Sequence, residues 1–178
     1  MRIIAGEAKG RRLAAPRTGT RPFTGRAKEA VFSSLQQRIS GARVLDLYAG
    51  SGSLGLEALS RGAASVVFVE KAVPAVSVLK ENISAVALGG KVVRSDVAAH
   101  LGRDRNTYDL VFADPPYAAS DEEVVEVLRL VGDRVAPDGV VVLHRRAGGT
   151  EPVSDNLRCT DRRRYGDSEI WIFEKEQE

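Results

Sequence analysis

The sequence of 178 residues predicts a doubly wound α/β fold built around a parallel β-sheet. After residue 42, short valine-rich apolar runs alternate with segments of helical periodicity. The runs show little alternation of polar and apolar residues, which is typical of strands covered on both faces. A glycine-rich turn follows the first run, where such folds bind ligands. We therefore expect one α/β domain over residues 43–178, preceded by a short extension over residues 1–42.

Five apolar runs are predicted to form strands of this sheet. They are ARVLDLYAG (42–50), SVVFVE (65–70), KVVRSD (91–96), YDLVFAD (108–114) and GVVVLHRR (139–146). Helices are predicted between them at 53–62, 73–86 and 122–135. Ser120 can form a capping box with Glu123, which marks the start of the last of these helices. Residues 157–175 are expected to form a closing hairpin that turns at residues 165–167.

Positive charge is concentrated at the N-terminus. Residues 1–28 contain eight basic residues and one acidic residue, Glu7, whereas the whole chain has a net charge of only +2. This distribution favours a polyanionic partner, although a solvated basic tail would have the same composition. The extension is expected to contain two short extended pieces and a helix at about 26–38, with Thr24 as its N-cap.

Composition also narrows the cellular setting. Cys159 is the only cysteine, so no internal disulfide can form, and one cysteine and two scattered histidines do not make a zinc site. No apolar run is long enough for a signal peptide or a membrane span. We therefore expect a cytoplasmic protein with no metal ion and no membrane partner. We also expect a monomer, although the composition does not report the oligomeric state.

A glycine-rich loop joins the first predicted strand to the first predicted helix. Gly50, Gly52 and Gly55 have the spacing G-x-G-x-x-G, and Glu70 ends the second strand. Both features fit a cofactor that contains adenosine, since a carboxylate at a strand end can accept both ribose hydroxyls. NAD and S-adenosylmethionine (SAM) each satisfy this pattern, and a plain tight turn is the alternative without a ligand.

Three observations favour SAM over NAD. Asp46 lies within the first strand, where a carboxylate can bind the ammonium of a methionyl group but would repel a pyrophosphate. Asp96 ends the third strand and can accept a hydrogen bond from the adenine amine. No histidine or tyrosine–lysine pair is an evident candidate for hydride transfer. The predicted cofactor contacts on these strand ends are Asp46, Ala49, Gly50, Ser51, Gly52, Gly55, Glu70, Lys71, Asp96, Val97 and Asp114.

The fourth strand ends in the tetrapeptide Asp114-Pro115-Pro116-Tyr117. An aryl amine is a poor nucleophile because its lone pair is conjugated into the ring. Asp114 and the carbonyl of Pro115 can accept its two hydrogens, and the prolines hold that carbonyl rigidly. Tyr117 can stack on the base, a contact worth ~1–3 kcal/mol. The tetrapeptide therefore predicts methyl transfer to a base amine by positioning, although Asp-Pro-Pro is also an ordinary strand terminator.

These motifs resemble those of class I SAM-dependent methyltransferases that modify base amines. Three further segments, 3–13, 21–35 and 165–175, are similar to the RsmD family of bacterial 16S ribosomal RNA guanine-N2 methyltransferases. The similarity spans nearly the whole chain and departs at Phe23, where many members carry threonine. It implies a Rossmann-like sheet of seven strands with the last strand antiparallel. It also implies SAM as cofactor and 16S ribosomal RNA, in the small ribosomal subunit, as substrate.

The resemblance also suggests roles for the basic extension. It implies that the helix carrying Thr24 and Arg26 closes over the cofactor. The residues expected to hold RNA phosphates without reading bases are Lys9, Arg11, Arg12, Arg26 and Lys28. Residues 162–164, three arginines, either extend this surface or belong to a solvated edge strand.

Alternative functions remain open at this point. A DNA adenine-N6 methyltransferase would use the same tetrapeptide, but 178 residues leave no room for a separate target-recognition domain. A protein-glutamine methyltransferase usually carries asparagine at the position of Asp114. A non-catalytic RNA-binding module of the ribosome and an NAD oxidoreductase are the alternatives from other classes.

Overall fold

The computed structural model describes residues 1–15, 23 and 25–176. This part of the chain contains seven strands: β1 (Arg43–Leu47), β2 (Ser65–Glu70), β3 (Lys91–Arg94), β4 (Tyr108–Ala113), β5 (Val135–Arg146), β6 (Leu157–Tyr165) and β7 (Ser168–Lys175). They form one sheet in the order β3-β2-β1-β4-β5-β7-β6. Strands β1 to β5 are parallel, and β7 is antiparallel to β5 and β6. The predicted doubly wound sheet of seven strands with a reversed last strand is confirmed.

The helices of the described residues are α1 (Gly25–Ser34), α2 (Gln36–Ile39), α3 (Ser53–Ser60), α4 (Val73–Val86), α5 (Val97–Arg103) and α6 (Asp121–Gly132). Ser120 caps α6, and the capping box with Glu123 is present as predicted. Helix α5 was not predicted. The single helix expected at 26–38 is divided at Leu35, and its expected cap, Thr24, lies outside the described residues. None of the described helices has the length and apolar character required to cross a membrane.

Apolar side chains cover both faces of the sheet. One buried cluster joins α1 and α3 to the sheet and includes Phe32, Phe68 and Phe112. The other joins α5 and α6 to the opposite face and includes Leu101 and Trp171. Successive strand residues point to opposite faces, so burial of both faces requires continuous apolar runs. This explains why the strand sequences lack alternation.

The N-terminal residues pack against α3. Ile3 and Leu13 are buried in the same cluster as α1. The backbone N–H groups of Ile4 and Ala5 donate to the two carboxylate oxygens of Glu57, at 2.8 and 3.0 Å. The two short extended pieces of the extension form an isolated antiparallel bridge at Arg2 and Arg12, with backbone hydrogen bonds on either side of it. The division of the chain at residue 42 stays a prediction.

Candidate active site

A cavity of about 560 Å³ opens at the carboxyl ends of the parallel strands. Its walls come from the segments that follow β1, β2, β3 and β4, because parallel strands bring these segments to one edge of the sheet. The predicted site residues that line it are Asp46, Ala49, Gly50, Ser51, Glu70, Lys71, Val97, Asp114, Pro115, Pro116 and Tyr117. The cavity therefore brings the glycine loop and the tetrapeptide to one place.

Asp46 lies on the wall of this cavity and is almost completely buried, with 1% of its surface exposed. Its Oδ2 accepts a hydrogen bond from the backbone N–H of Gly55 at 2.9 Å. Burial raises the pKa of Asp46 to about 8, and the carboxylates of Asp114 and Glu70 contribute to that rise. A cation placed beside Asp46 would favour its ionised form. The charge of this group thus depends on what binds next to it.

The Glu70 carboxylate links the glycine loop to the residue that precedes α4 through two hydrogen bonds. Its Oε2 accepts from the backbone N–H of Gly50 at 3.0 Å, and its Oε1 accepts from the N–H of Ala72 at 2.8 Å. Each carboxylate oxygen can accept more than one hydrogen bond, so both retain acceptor capacity toward the cavity. The strand-end carboxylate is therefore held in a fixed orientation.

The three glycines of the loop are required for different structural reasons. Gly50 lines the cavity with φ +54°, and a Cβ there would meet only the Tyr48 carbonyl oxygen, 3.9 Å away. A Cβ at Gly52 would lie 2.4 Å from a Leu79 methyl carbon, and one at Gly55 would lie 2.3 Å from the Phe68 ring. Gly52 and Gly55 do not line the cavity; they allow α3 to pack closely on its neighbours. The cofactor contacts expected of Gly52 and Gly55 stay predictions.

Asp96 does not end the third strand, as the sequence predicted. Strand β3 ends at Arg94, and Asp96 is the N-cap of α5, where Oδ1 accepts from the N–H of Ala99 at 3.2 Å. Its neighbours Ser95 and Val97 line the cavity, but Asp96 does not. Capping explains this orientation, since a carboxylate before a helix satisfies its free N–H groups. Capping uses Oδ1, and Oδ2 lies 4.0 Å from Lys71 Nζ. The adenine contact expected of Asp96 stays a prediction.

The tetrapeptide follows β4 directly and lies on the wall of the cavity. The Pro116 carbonyl accepts from the N–H of Ala119 at 2.9 Å, which closes the turn. The Tyr117 hydroxyl lies 3.1 Å from Ser168 Oγ on β7, while 38% of the tyrosine surface remains exposed. The ring therefore stands at the mouth of the cavity with its hydroxyl anchored.

Sequence reasoning missed His144, which lies beside the tetrapeptide. Its Nδ1 is 2.6 Å from Asp114 Oδ1, and its side chain is 2% exposed. Ala113 and Leu143 are register partners on adjacent parallel strands, so the residues that follow them are neighbours. Only the order of the strands could have revealed this, because His144 is thirty residues away in the chain.

The predicted phosphate-binding residues divide into two groups. Lys9, Arg11, Arg12 and Arg26 are exposed. Lys28 is 3% exposed, and its Nζ lies 3.0 Å from Glu57 Oε2. Lys28 faces α3 and not solvent, so it cannot contact RNA as expected.

The three arginines at 162–164 each have partners within the chain. Arg162 forms an ion pair with Glu169 at 2.7 Å and lies over the ring of Trp171. Arg163 pairs with Asp161, and the Arg164 Nε donates to the Gly166 carbonyl. These contacts give the cluster a role in the β6–β7 hairpin.

Comparison with known proteins identifies the family. The family model described as conserved hypothetical protein 95 matches residues 1–174. The chain is 35% identical over 184 residues to "Putative rRNA methyltransferase YlbH" of Bacillus subtilis strain 168, covering 98% of this chain and 99% of that protein. It is 40% identical over 119 residues to "Ribosomal RNA small subunit methyltransferase D" of Escherichia coli strain K12, covering 66% of this chain and 60% of that protein.

The chain belongs to the RsmD family of methyltransferases.

A solved structure shares this fold over nearly the full length of the sequence. A solved structure described as "Putative methyltransferase yhhF from Escherichia coli" superimposes with a TM-score of 0.89 at 30% sequence identity, covering 99% of this chain and 98% of that one. Among the described residues, no group of three or more His, Cys, Asp or Glu side chains is arranged to hold a metal ion. The cavity of this RsmD-family protein is instead lined by carboxyl groups, backbone and apolar side chains.

Proposed function

We propose that this protein transfers a methyl group from SAM to the exocyclic N2 amine of a guanine in 16S ribosomal RNA of the small ribosomal subunit. The observation that carries the proposal is one cavity lined by the Asp114–Tyr117 tetrapeptide, Asp46 and Glu70. The names of the two relatives, an rRNA methyltransferase and a small-subunit methyltransferase, support the same substrate.

The residues of the cavity fit SAM. Its volume of about 560 Å³ lies in the range of small-molecule sites. Asp46 is a buried carboxyl that a methionyl ammonium would ionise, and Glu70 has acceptor capacity for ribose hydroxyls. Gly50 exposes backbone to the cavity without a Cβ. SAM, when bound, supplies an electrophilic methyl group on its sulfonium. The remaining proposed contacts are Ala49, Ser51, Lys71 and Val97.

The tetrapeptide presents the acceptor amine. The carboxylate of Asp114 and the carbonyl of Pro115 accept its two N–H hydrogens, so the nitrogen lone pair is directed at the methyl carbon. SAM held beside Asp46 and Glu70 would supply the methyl group for the new N–C bond, and its sulfur would keep the electron pair of the broken S–C bond. The nitrogen then loses one proton, for which the Asp114 carboxylate is placed as acceptor. Tyr117, exposed at the mouth of the cavity, stacks on the extruded base.

The exposed basic residues Lys9, Arg11, Arg12 and Arg26 hold RNA phosphates, and the first three belong to the N-terminal segment. Met1 and Ala15 line the cavity, so this segment leads directly to its rim. A ribosomal RNA substrate implies a cytoplasmic location. The residues proposed for methyl transfer all come from one chain, so we also propose that the protein is a monomer.

The alternatives are less well supported. A DNA adenine-N6 methyltransferase would use the same tetrapeptide, but the named relatives are ribosomal RNA methyltransferases. A protein-glutamine methyltransferase would be expected to carry asparagine at position 114, where this chain has aspartate.

Methylation of unmodified substrate tests the proposal. Purified protein is incubated with SAM carrying an isotope-labelled methyl group and with small subunits, free 16S RNA or DNA from a strain lacking the corresponding gene. Mass spectrometry of the nucleosides should show labelled N2-methylguanosine in the RNA. Labelled methyladenine in DNA alone, or no label in any nucleic acid, would contradict the proposal.

A further inference from the structure

We propose that His144 is a positioning residue for methyl transfer, which holds Asp114 so that one carboxylate oxygen stays turned toward the acceptor amine. The inference rests on the proposed function and adds a residue to it. It begins from the contact of 2.6 Å between His144 Nδ1 and Asp114 Oδ1.

The sheet itself creates this contact. Ala113 on β4 and Leu143 on β5 are register partners in a parallel pair, so Asp114 and His144 lie side by side where the two strands approach the cavity. The His144 side chain is 2% exposed, whereas that of Asp114 is 28% exposed. The histidine thus supports the carboxylate from the protein interior, and the carboxylate faces the cavity.

The chemistry of the two groups sets the direction of the hydrogen bond. An ionised carboxylate can only accept, so the proton of this bond belongs to His144 Nδ1. Among the residues that the structure describes, no other hydrogen bond reaches the Asp114 carboxylate. Oδ1 is therefore occupied by the histidine, and Oδ2 is the oxygen left for the amine.

Two aromatic rings hold the imidazole in place. The Phe23 ring lies 4.7 Å from the His144 ring, and the Tyr117 ring lies 5.9 Å from it, both tilted. Tyr117 is itself anchored through its hydroxyl to Ser168. Asp114, which accepts from the amine, and Tyr117, which stacks on the base, thus both contact the buried His144. A shift of the imidazole would displace both.

His144 Nε2 supports a role tied to Asp114. This nitrogen is buried and has no hydrogen-bond partner within residues 1–15, 23 and 25–176. Burying a polar atom without a partner is unfavourable, and an apolar side chain would avoid it. The one hydrogen bond that the His144 side chain makes in this part of the chain is the one with Asp114.

Two substitutions separate positioning from simple packing. In His144→Asn the amide nitrogen lies close to the former Nδ1 and can still donate to Asp114, whereas His144→Leu fills the space without a donor. We expect kcat to fall on the order of 100-fold in His144→Leu, as for other small misplacements of reacting groups. The KM for RNA and the Kd for SAM should change by less than about twofold. His144→Asn should keep kcat within about threefold of the wild type.

His100→Asn is the matched control. His100 is the other histidine of the chain and also faces an aspartate, with Nε2 3.4 Å from Asp104 Oδ2, and neither of these two residues lines the cavity. Its kcat should equal that of the wild type. The inference is overturned if His144→Leu keeps more than half of wild-type kcat. It is also overturned if His144→Asn loses as much as His144→Leu, since the imidazole would then act by something other than donation.

A second measurement does not depend on the substrate. Nitrogen NMR of the two imidazoles should show His144 protonated at Nδ1, and Asp114→Asn should shift the His144 signals while leaving those of His100 in place. A His144 that carries its proton only on Nε2 would overturn the inference even if the protein methylates RNA. If the wild type gives the expected NMR signals but does not methylate RNA, the proposed function is contradicted and the His144–Asp114 contact is not.

Discussion

Lys28 and Glu57 form an ion pair of 3.0 Å with both side chains buried, and this pair joins α1 to α3 beneath the N-terminal segment. Burial lowers the pKa of Lys28. Burial alone would raise the pKa of Glu57, but hydrogen bonds from Ile4 and Arg61 and the charge of Lys28 hold that pKa below its ordinary value. Glu57 thus keeps a negative charge in the interior because several donors converge on it.

Lys28→Met should destabilise the protein without affecting RNA contacts. Removing one partner of a buried pair leaves the other charge uncompensated, and we expect a loss of about 3 kcal/mol in the free energy of unfolding. Arg38→Met is the matched control, because its pair with Glu174 is partly exposed and should contribute less than about 1 kcal/mol. Urea denaturation measures both. Equal losses in the two variants would contradict this account.

Asp46→Asn should change how stability depends on pH. The pKa of Asp46 rises from 3.8 to about 8 on folding, so between these values the native state binds a proton that the unfolded state lacks. The free energy of unfolding should therefore fall as pH rises from 4 to 8, by up to ~1.4 kcal/mol per unit. Asparagine cannot ionise, so the variant should lack this slope.

Asp109→Asn is the control for that experiment. A hydrogen bond from Arg43 lowers the pKa of Asp109. The stabilisation from this pair is fully present above the ordinary pKa of aspartate and is lost as pH falls through the lowered pKa. The free energy of unfolding therefore falls with decreasing pH, and only in the acid range, which is opposite in sign to the effect of Asp46. Parallel stability profiles of wild type and Asp46→Asn between pH 5 and 8 would refute the burial argument.

Asp114→Ala should abolish turnover while SAM still binds. The variant loses the acceptor for the amine hydrogen, whereas Asp46, Glu70 and Gly50 are unchanged on the cofactor side of the cavity. Calorimetric titration with SAM and methyl transfer to RNA measure the two properties separately. Normal turnover in this variant would remove Asp114 from the mechanism.

Gly55→Ala and Gly50→Ala should affect different properties. A Cβ at Gly55 would lie 2.3 Å from the Phe68 ring, so we expect a loss of about 2 kcal/mol from overpacking. Gly50 has open space around it, and its substitution should cost about 1 kcal/mol from the positive φ while weakening SAM binding. Thermal melting and SAM titration distinguish them, and a reversed order of stabilities would count against the packing assignment.

Replacing Arg11 and Arg12 together by alanine should weaken RNA binding and flatten its salt dependence. Both side chains are exposed, and each lost phosphate contact should reduce the slope of log K against log salt by about one unit. Lys28→Met, with its buried position, should leave the slope unchanged. Binding measured across a salt series tests both statements, and an unaltered slope in the double variant would exclude these arginines as phosphate contacts.

The sequence by itself determined the sheet and the location of the cavity. Valine-rich runs without alternation are typical of strands buried on both faces, and parallel strands bring their carboxyl ends to one edge. The amino-acid pattern alone therefore assigns Asp46, Gly50, Glu70 and Asp114 to one cavity. Their order along the chain is sufficient because each lies in, ends or follows a predicted strand.

Tertiary structure alone decided which polar groups face the cavity and which serve the fold. Asp96 caps a helix, Lys28 neutralises Glu57, and Gly55 makes room for Phe68. These outcomes depend on how the elements pack in three dimensions, which local patterns do not encode. His144 became visible only when β5 was placed beside β4, since the residue next to Asp114 in space is set by strand order and register.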